Sequence, residues 1–156
     1  MKTRLICIGK TSTPYLREGI NAYLKRLEHY TRVEYLELPD VPSKGLTPNT
    51  FKTKEGELIL KQLKPDDVLV LLDENGDSYT SRDFANFLQK KMNAGVRSIV
   101  FVVGGAFGFS KEVMDKANGK LSFSKMTFSH EMIRLFAIEQ LYRAHTILKG
   151  ENYHHD

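Results

Sequence analysis

Three short stretches hold residue types that can do chemistry. In VFVVGGAFGFS, residues 100–110, a run of β-branched and aromatic residues stops at Gly104 and Gly105, and Gly108 follows three positions later. Glycine lets a ligand lie against the backbone or lets the chain take a positive φ. A tight strand-to-helix turn asks for the same residues, and on the glycines alone the two readings stand level. The spacing is not G-x-G-x-x-G and no Gly-Lys-Ser/Thr follows, which removes a dinucleotide fingerprint and a phosphate-cradling loop. SFSKMTFSH, residues 122–130, packs hydroxyl, thioether and aromatic groups ahead of a helix start. Its backbone polar groups can meet a purine edge while its apolar side chains sandwich the ring; an N-cap with buried aromatics is the plainer reading. His130 lies in the first helical turn, where partial positive charge disfavours imidazolium, so a neutral hydrogen-bonding group stands level with a capping or packing role. YHHD, residues 153–156, joins a phenol, two imidazoles and a carboxylate, but adjacent histidines suit no metal geometry. No metal is expected, and by composition alone the segment reads as a frayed end.

These stretches sit between elements that alternate. Residues 3–8 (TRLICI), 33–38 (VEYLEL), 67–73 (DVLVLLD) and 98–103 (SIVFVV) read as strands, the last two so continuously apolar that both faces must be covered. Apolar residues at helical spacing predict helices over 14–30, 50–63 and from Thr80 to a stop at Gly95, with a short helix from Ser110 and a long one over 129–149. Ser12 and Thr13 offer a cap before Pro14, Gly56 weakens its helix, ENGD at 74–77 reads as a turn, and 121–128 as a strand or extended loop. The expected fold is α/β, a mostly parallel sheet flanked by helices, in one domain. Ligands of such sheets lie beyond the carboxyl ends of the strands, where the glycines fall. The last helix mixes Arg134, Glu139, Gln140, Arg143 and His145 into an apolar surface broader than one sheet face needs, so part of it is expected against a second subunit; the competing account is a fully buried helix with Arg134 or Arg143 in an ion pair.

Composition narrows the class. The 156 residues are 41% apolar and 27% charged, an ordinary globular balance, with 23 Lys and Arg against 19 Asp and Glu, which permits a polyanionic partner without requiring one. No apolar run approaches the ~20 residues of a membrane helix, and a cytoplasmic protein is expected. Cys7 is single and lies in an apolar strand, where it reads as a core residue.

VGGAFGF, then LSFSKMTFSHEMIRLFAIEQLYRAHTILKG, then a terminal Tyr-His resemble the RlmH (YbeA) family of SPOUT-superfamily ribosomal RNA methyltransferases. The likeness runs the length of the chain, through LICIGK, YLKRL, KEGE and LLDENG, and its most specific part is S-H-E-M-x-R with E-Q-L-Y-R-A downstream. It implies a C-terminal trefoil knot, a homodimer, and S-adenosyl-L-methionine as cofactor. The reaction it implies is methylation of N3 of a pseudouridine in 23S ribosomal RNA within the assembled ribosome. Carried onto this chain, the cofactor site comprises Leu72, Gly104, Gly105, Gly108 and the run Phe123, Ser124, Lys125, Met126, Thr127 and Phe128. Residues 151–156 become a functional tail, with Tyr153 and His154 as catalytic candidates for the N3 proton, and His130, Arg134 and His155 as RNA contacts. Two positions depart from the family pattern, Asn152 for its proline and His155 for its final basic residue. The rival readings are a SPOUT enzyme acting on transfer RNA, a ribosome-binding module without catalysis, and a nucleotide-binding oxidoreductase, the last weakened by the glycine spacing.

Overall fold

Continuous burial along β-strand runs builds a sheet with two covered faces. A computed structural model describes residues 1–156. Its strands are β1 (Lys2–Ile8), β2 (Val33–Leu38), β3 (Asp67–Ser78), β4 (Ser98–Val103) and β5 (Gly119–Ser122), all parallel in the order β2-β1-β4-β3-β5. The helices are α1 (Pro14–Leu27), α2 (Pro48–Lys61), α3 (Ser81–Asn93), α4 (Lys111–Lys116) and α5 (Met132–Leu148). Because successive strand residues point to opposite faces, Leu5, Cys7, Val70, Leu72, Ile99, Phe101 and Val103 meet α1, α3 and α5, whereas Ile6, Ile8, Leu69, Leu71, Val100 and Val102 meet α2 and α4. Each such side chain taken fully from water contributes about 1.5–3 kcal/mol. Burial pushes the Cys7 thiol up to about 12, consistent with an inert core residue. No helix is long and apolar enough to cross a membrane.

The helix starts follow their polar residues, with one exchange. The Thr47 hydroxyl accepts from Thr50 N–H, the Thr80–Asp83 pair closes a reciprocal capping box, and Ser110 accepts from Val113 N–H. At α1, where Ser12 or Thr13 is the expected cap, neither side chain caps; the Glu131 carboxylate accepts from the amides and hydroxyls of both. The junction before α5 is thus tied to the start of α1. This last helix also begins later than expected, with Ser129 Oγ accepting from Met132 N–H at 3.1 Å, and α1 ends at Leu27.

The ENGD segment lies within β3 rather than after it. Leu72 and Asp77 both pair with Leu121, so the residues between them bulge from the ladder, and a Cβ on Gly76 would come 2.6 Å from the Leu121 nitrogen. The Asp73 carboxylate accepts from Asn75 N–H at 2.8 Å and shapes the bulge. Gly56 has a packing role that its sequence position hides. A Cβ there would press on Ser110 Oγ and stand 3.1 Å from Val113, so α2 touches the start of α4 only because residue 56 has no side chain. Gly56→Val should therefore lower stability by about 2–3 kcal/mol, read as a shifted midpoint in urea, despite valine's smaller backbone entropy.

Candidate active site

The carboxyl ends of β3, β4 and β5 meet around a cavity of about 580 Å³. Leu72, Val103, Leu121 and Ser122 form its floor, the turn Gly104–Phe109 one wall, and the loop Phe123–His130 with Ile133 of α5 the other. Leu72, Gly104, Gly105, Gly108, Phe123, Ser124, Met126, Thr127, Phe128 and His130 all line it; Lys125 does not. Two serines shape the loop, since Ser122 Oγ donates to the Ser124 carbonyl at 2.7 Å and Ser124 Oγ accepts from Met126 N–H at 2.9 Å. Asp73, Glu74 and Asn75 of the bulge supply a rim that carries negative charge, a contribution the expectation of a plain turn had concealed.

Gly104 and Gly105 are crowded by the protein's own side chains. A Cβ on Gly104 would stand 2.9 Å from the Phe109 ring, and one on Gly105 would stand 2.5 Å from the Glu55 carboxylate. Gly108 adopts φ +81° and its N–H donates to the Gly105 carbonyl at 3.1 Å, closing the turn. The result is a wall of bare backbone with Phe109 and Glu55 behind it. Glu55 is 4% exposed, its Oε1 has no hydrogen-bond partner, and burial, reinforced by the Asp40 charge, pushes its carboxyl up to about 7.

Arg134, expected at the RNA, is placed elsewhere. It is 1% exposed, and its guanidinium donates to the carbonyls of Ile8, Gly9 and His130, to Thr11 Oγ1, and to Glu37. All of its reach is spent inside the protein, where it ties α5 to the carboxyl end of β1. Although burial opposes it, hydrogen bonds from Thr11 and Tyr35 and the Arg134 charge hold the Glu37 carboxyl below its ordinary range. A basic residue among the apolar positions of a helix is compatible with either role, and only the approach of the β1 end decides between them.

The tail is pinned along its length. Tyr30 donates to Glu151, and the Tyr153 hydroxyl donates to Glu139 at 3.0 Å while lying 3.1 Å from the Tyr23 hydroxyl. Arg143 donates to the same Glu139 oxygen at 2.6 Å and stacks over the Tyr153 ring, 4.7 Å from its centroid. His154 Nδ1 lies 3.2 Å from an Arg143 nitrogen and its Nε2 2.8 Å from Asp156, which is paired with Arg82 at 2.7 Å. The arginine can only donate, so Nδ1 is the acceptor and Nε2 carries the proton toward Asp156. Glu139 and Arg143, four apart on α5, are thus the anchors of the tail, and their i,i+4 spacing was the available sequence signal. Burial, with the hydrogen bonds to Tyr23 and Glu139, raises the Tyr153 phenol well above its ordinary value. His155 is exposed beside this network.

A parallel sheet with a backbone-walled crevice at its carboxyl ends defines an α/β protein of the ligand-binding, enzymatic kind. The model described as "Predicted SPOUT methyltransferase" matches residues 1–154, and the chain belongs to that family of methyltransferases. It is 54% identical over 157 residues to a protein of Parabacteroides distasonis, with all of both chains covered. It is 52% identical over 155 residues to one of Cytophaga hutchinsonii, covering 99% of this chain and 100% of that one, and 52% identical over 156 residues to one of Flavobacterium johnsoniae, covering 99% of each. All three relatives carry the name ribosomal RNA large subunit methyltransferase H.

Proposed function

We propose that this protein methylates N3 of a pseudouridine in 23S ribosomal RNA on the assembled ribosome, in the cytoplasm, with S-adenosyl-L-methionine as methyl donor. The observation that carries the reading is a bare-backbone cavity in a chain about half identical, end to end, to ribosomal RNA methyltransferases. The cavity suits the donor on three counts. Glycine backbone at 104–108 admits close approach, Leu72, Leu121, Phe123, Phe128 and Ile133 offer apolar area to a purine, and Asp73 and Glu74 oppose a cationic, amino-bearing ligand. When bound, the sulfonium supplies an electrophilic methyl group. The residues around it hold donor and acceptor in line and keep water out, which is where most of the acceleration of such a transfer arises.

The acceptor nitrogen carries a proton that must leave. Tyr153 and His154 are the proposed residues for this step, and their surroundings divide the work. The raised Tyr153 phenol keeps its proton and orients Glu139, while His154 gains a free lone pair only after Arg143 releases Nδ1. His130 at the cavity and the exposed His155 are the proposed RNA contacts; Arg134 acts by positioning. The homodimer and the C-terminal trefoil knot belong to the same reading. It is supported by the exposed Tyr15, Phe107, Met126 and Phe128 near this end of the sheet, and by α5 returning between α1 and α3 after β5.

The test uses labelled S-adenosyl-L-methionine and ribosomes from cells lacking the enzyme. Label at one pseudouridine of 23S ribosomal RNA is expected, with Tyr153→Phe and His154→Ala each slowing single-turnover transfer about a hundredfold while donor affinity stays the same. Label on transfer RNA instead, or none with the donor bound, would overturn the reading.

A further inference from the structure

A second cavity, of about 220 Å³, lies beside the first. It is bounded by Tyr79, Thr80, Ser81 and Phe84 at the start of α3 and by Phe136, Glu139 and Gln140 of α5. Leu121, Phe123 and Phe128 line both cavities, so the two spaces share a wall only one side chain thick. The walls are largely aromatic: Phe128 meets Phe136 edge-on at 5.0 Å, and Phe84 meets Phe123 edge-on at 6.0 Å. Against these rings stands one pre-set amide. Ser81 Oγ donates to Gln140 Oε1 at 2.8 Å, and Gln140 Nε2 donates to Glu139 Oε2 at 3.1 Å, so neither end of the Gln140 amide is free to flip. That leaves one N–H and one oxygen lone pair of Gln140 without a partner. The other Glu139 oxygen holds Tyr153 and Arg143, which places this cavity between the donor site and the tail.

We propose that this cavity receives the flipped-out acceptor base, a single pyrimidine ring held between aromatic side chains, with Gln140, fixed by Ser81, reading its hydrogen-bonding edge. The inference rests on the methyltransferase reading above and adds to it the place and the reader of the base. An aromatic slot is the usual way an unstacked base is held, and the free Gln140 N–H matches a carbonyl flanking N3, a contact that leaves N3 itself open to the donor and that cytosine's amino group cannot make. The cavity is too small to take the whole donor beside its own 580 Å³ site, and its contiguity with that site favours the group that must meet the donor.

The experiment separates this inference from the reading beneath it. In wild-type protein bearing carbon-13-labelled phenylalanine and saturated with S-adenosyl-L-methionine, titration with uridine 5′-monophosphate should shift the Phe123, Phe128 and Phe136 resonances, and cytidine 5′-monophosphate should shift them less. Gln140→Leu should abolish that preference and lower kcat/KM on ribosomes about ten- to a hundredfold, with donor affinity, melting temperature and sedimentation unchanged. Ser81→Ala, a gentler change that only frees the amide, should show a smaller loss of the same kind. Wild-type transfer rates in Gln140→Leu, or phenylalanine resonances that ignore both nucleotides, would overturn the base pocket while leaving the methyltransferase reading intact. Altered sedimentation of either variant would also overturn it, because the cavity would then belong to a contact between copies. Absence of transfer by the wild type would strike the underlying reading instead.

Discussion

Replacing Arg134 with methionine should cost about 3–5 kcal/mol of stability, the largest loss expected from any single substitution outside the apolar core. Methionine preserves much of the aliphatic packing but leaves Glu37, Thr11 and two strand-end carbonyls without the guanidinium that serves all of them. At this chain length each kcal/mol moves the midpoint by about 2–4 °C, so differential scanning calorimetry should show a drop of about 6–20 °C. Adding Glu37→Gln should recover part of the loss, since the uncompensated carboxylate is then gone. A single variant that melts with the wild type would show that Arg134 is dispensable to the frame. It would return to consideration as an RNA contact.

The second large effect is pH-dependent and belongs to Glu55. Its carboxyl titrates near 7 in the fold against an ordinary value of 4.5, so between those limits the folded chain holds a proton that the unfolded chain has released. Stability therefore falls as pH rises through that window and carries the full penalty above it. Glu55→Gln, neutral throughout, should match the wild type near pH 4.5 and exceed it above pH 7.5 by up to about 3 kcal/mol, since each pK unit corresponds to about 1.4 kcal/mol and partial access of water trims the sum. Denaturant midpoints across pH 4.5–8.5 check this, and a difference that does not change with pH would refute it. The cost is local to the candidate site, because Glu55 braces the Gly105 backbone that walls the 580 Å³ cavity. Donor affinity in Glu55→Gln should stay within about threefold at pH 7, as the amide fills the same space.

How far the sequence could be read varied with the range of the interaction involved. Strands 98–103 and 67–73 were legible because their apolar run can be satisfied only by cover on both faces, and α3 because Thr80 and Asp83 cap it within one turn. The Glu131 cap of α1 was not legible, since its partners stand 118 and 119 residues away. The bulge at 73–76 is decided by the register of β5, and the same segment read alone is a turn.

The site divides along the same line. The types and spacing of Gly104, Gly105 and Gly108, and the alternation of strand and helix, determined by themselves that the carboxyl end of a parallel sheet carries either a close approach to the backbone or a tight turn. Local sterics and burial periodicity act over a few residues and are written in those residues. Tertiary structure alone decided that Phe109 and Glu55 are what press on the glycines, that Arg134 turns inward to the end of β1, and that Glu139 and Arg143 hold Tyr153 and His154. Each of these is settled by which distant groups meet a charge or a missing side chain once it has left water, and burial is a property of the assembled layers rather than of any one segment.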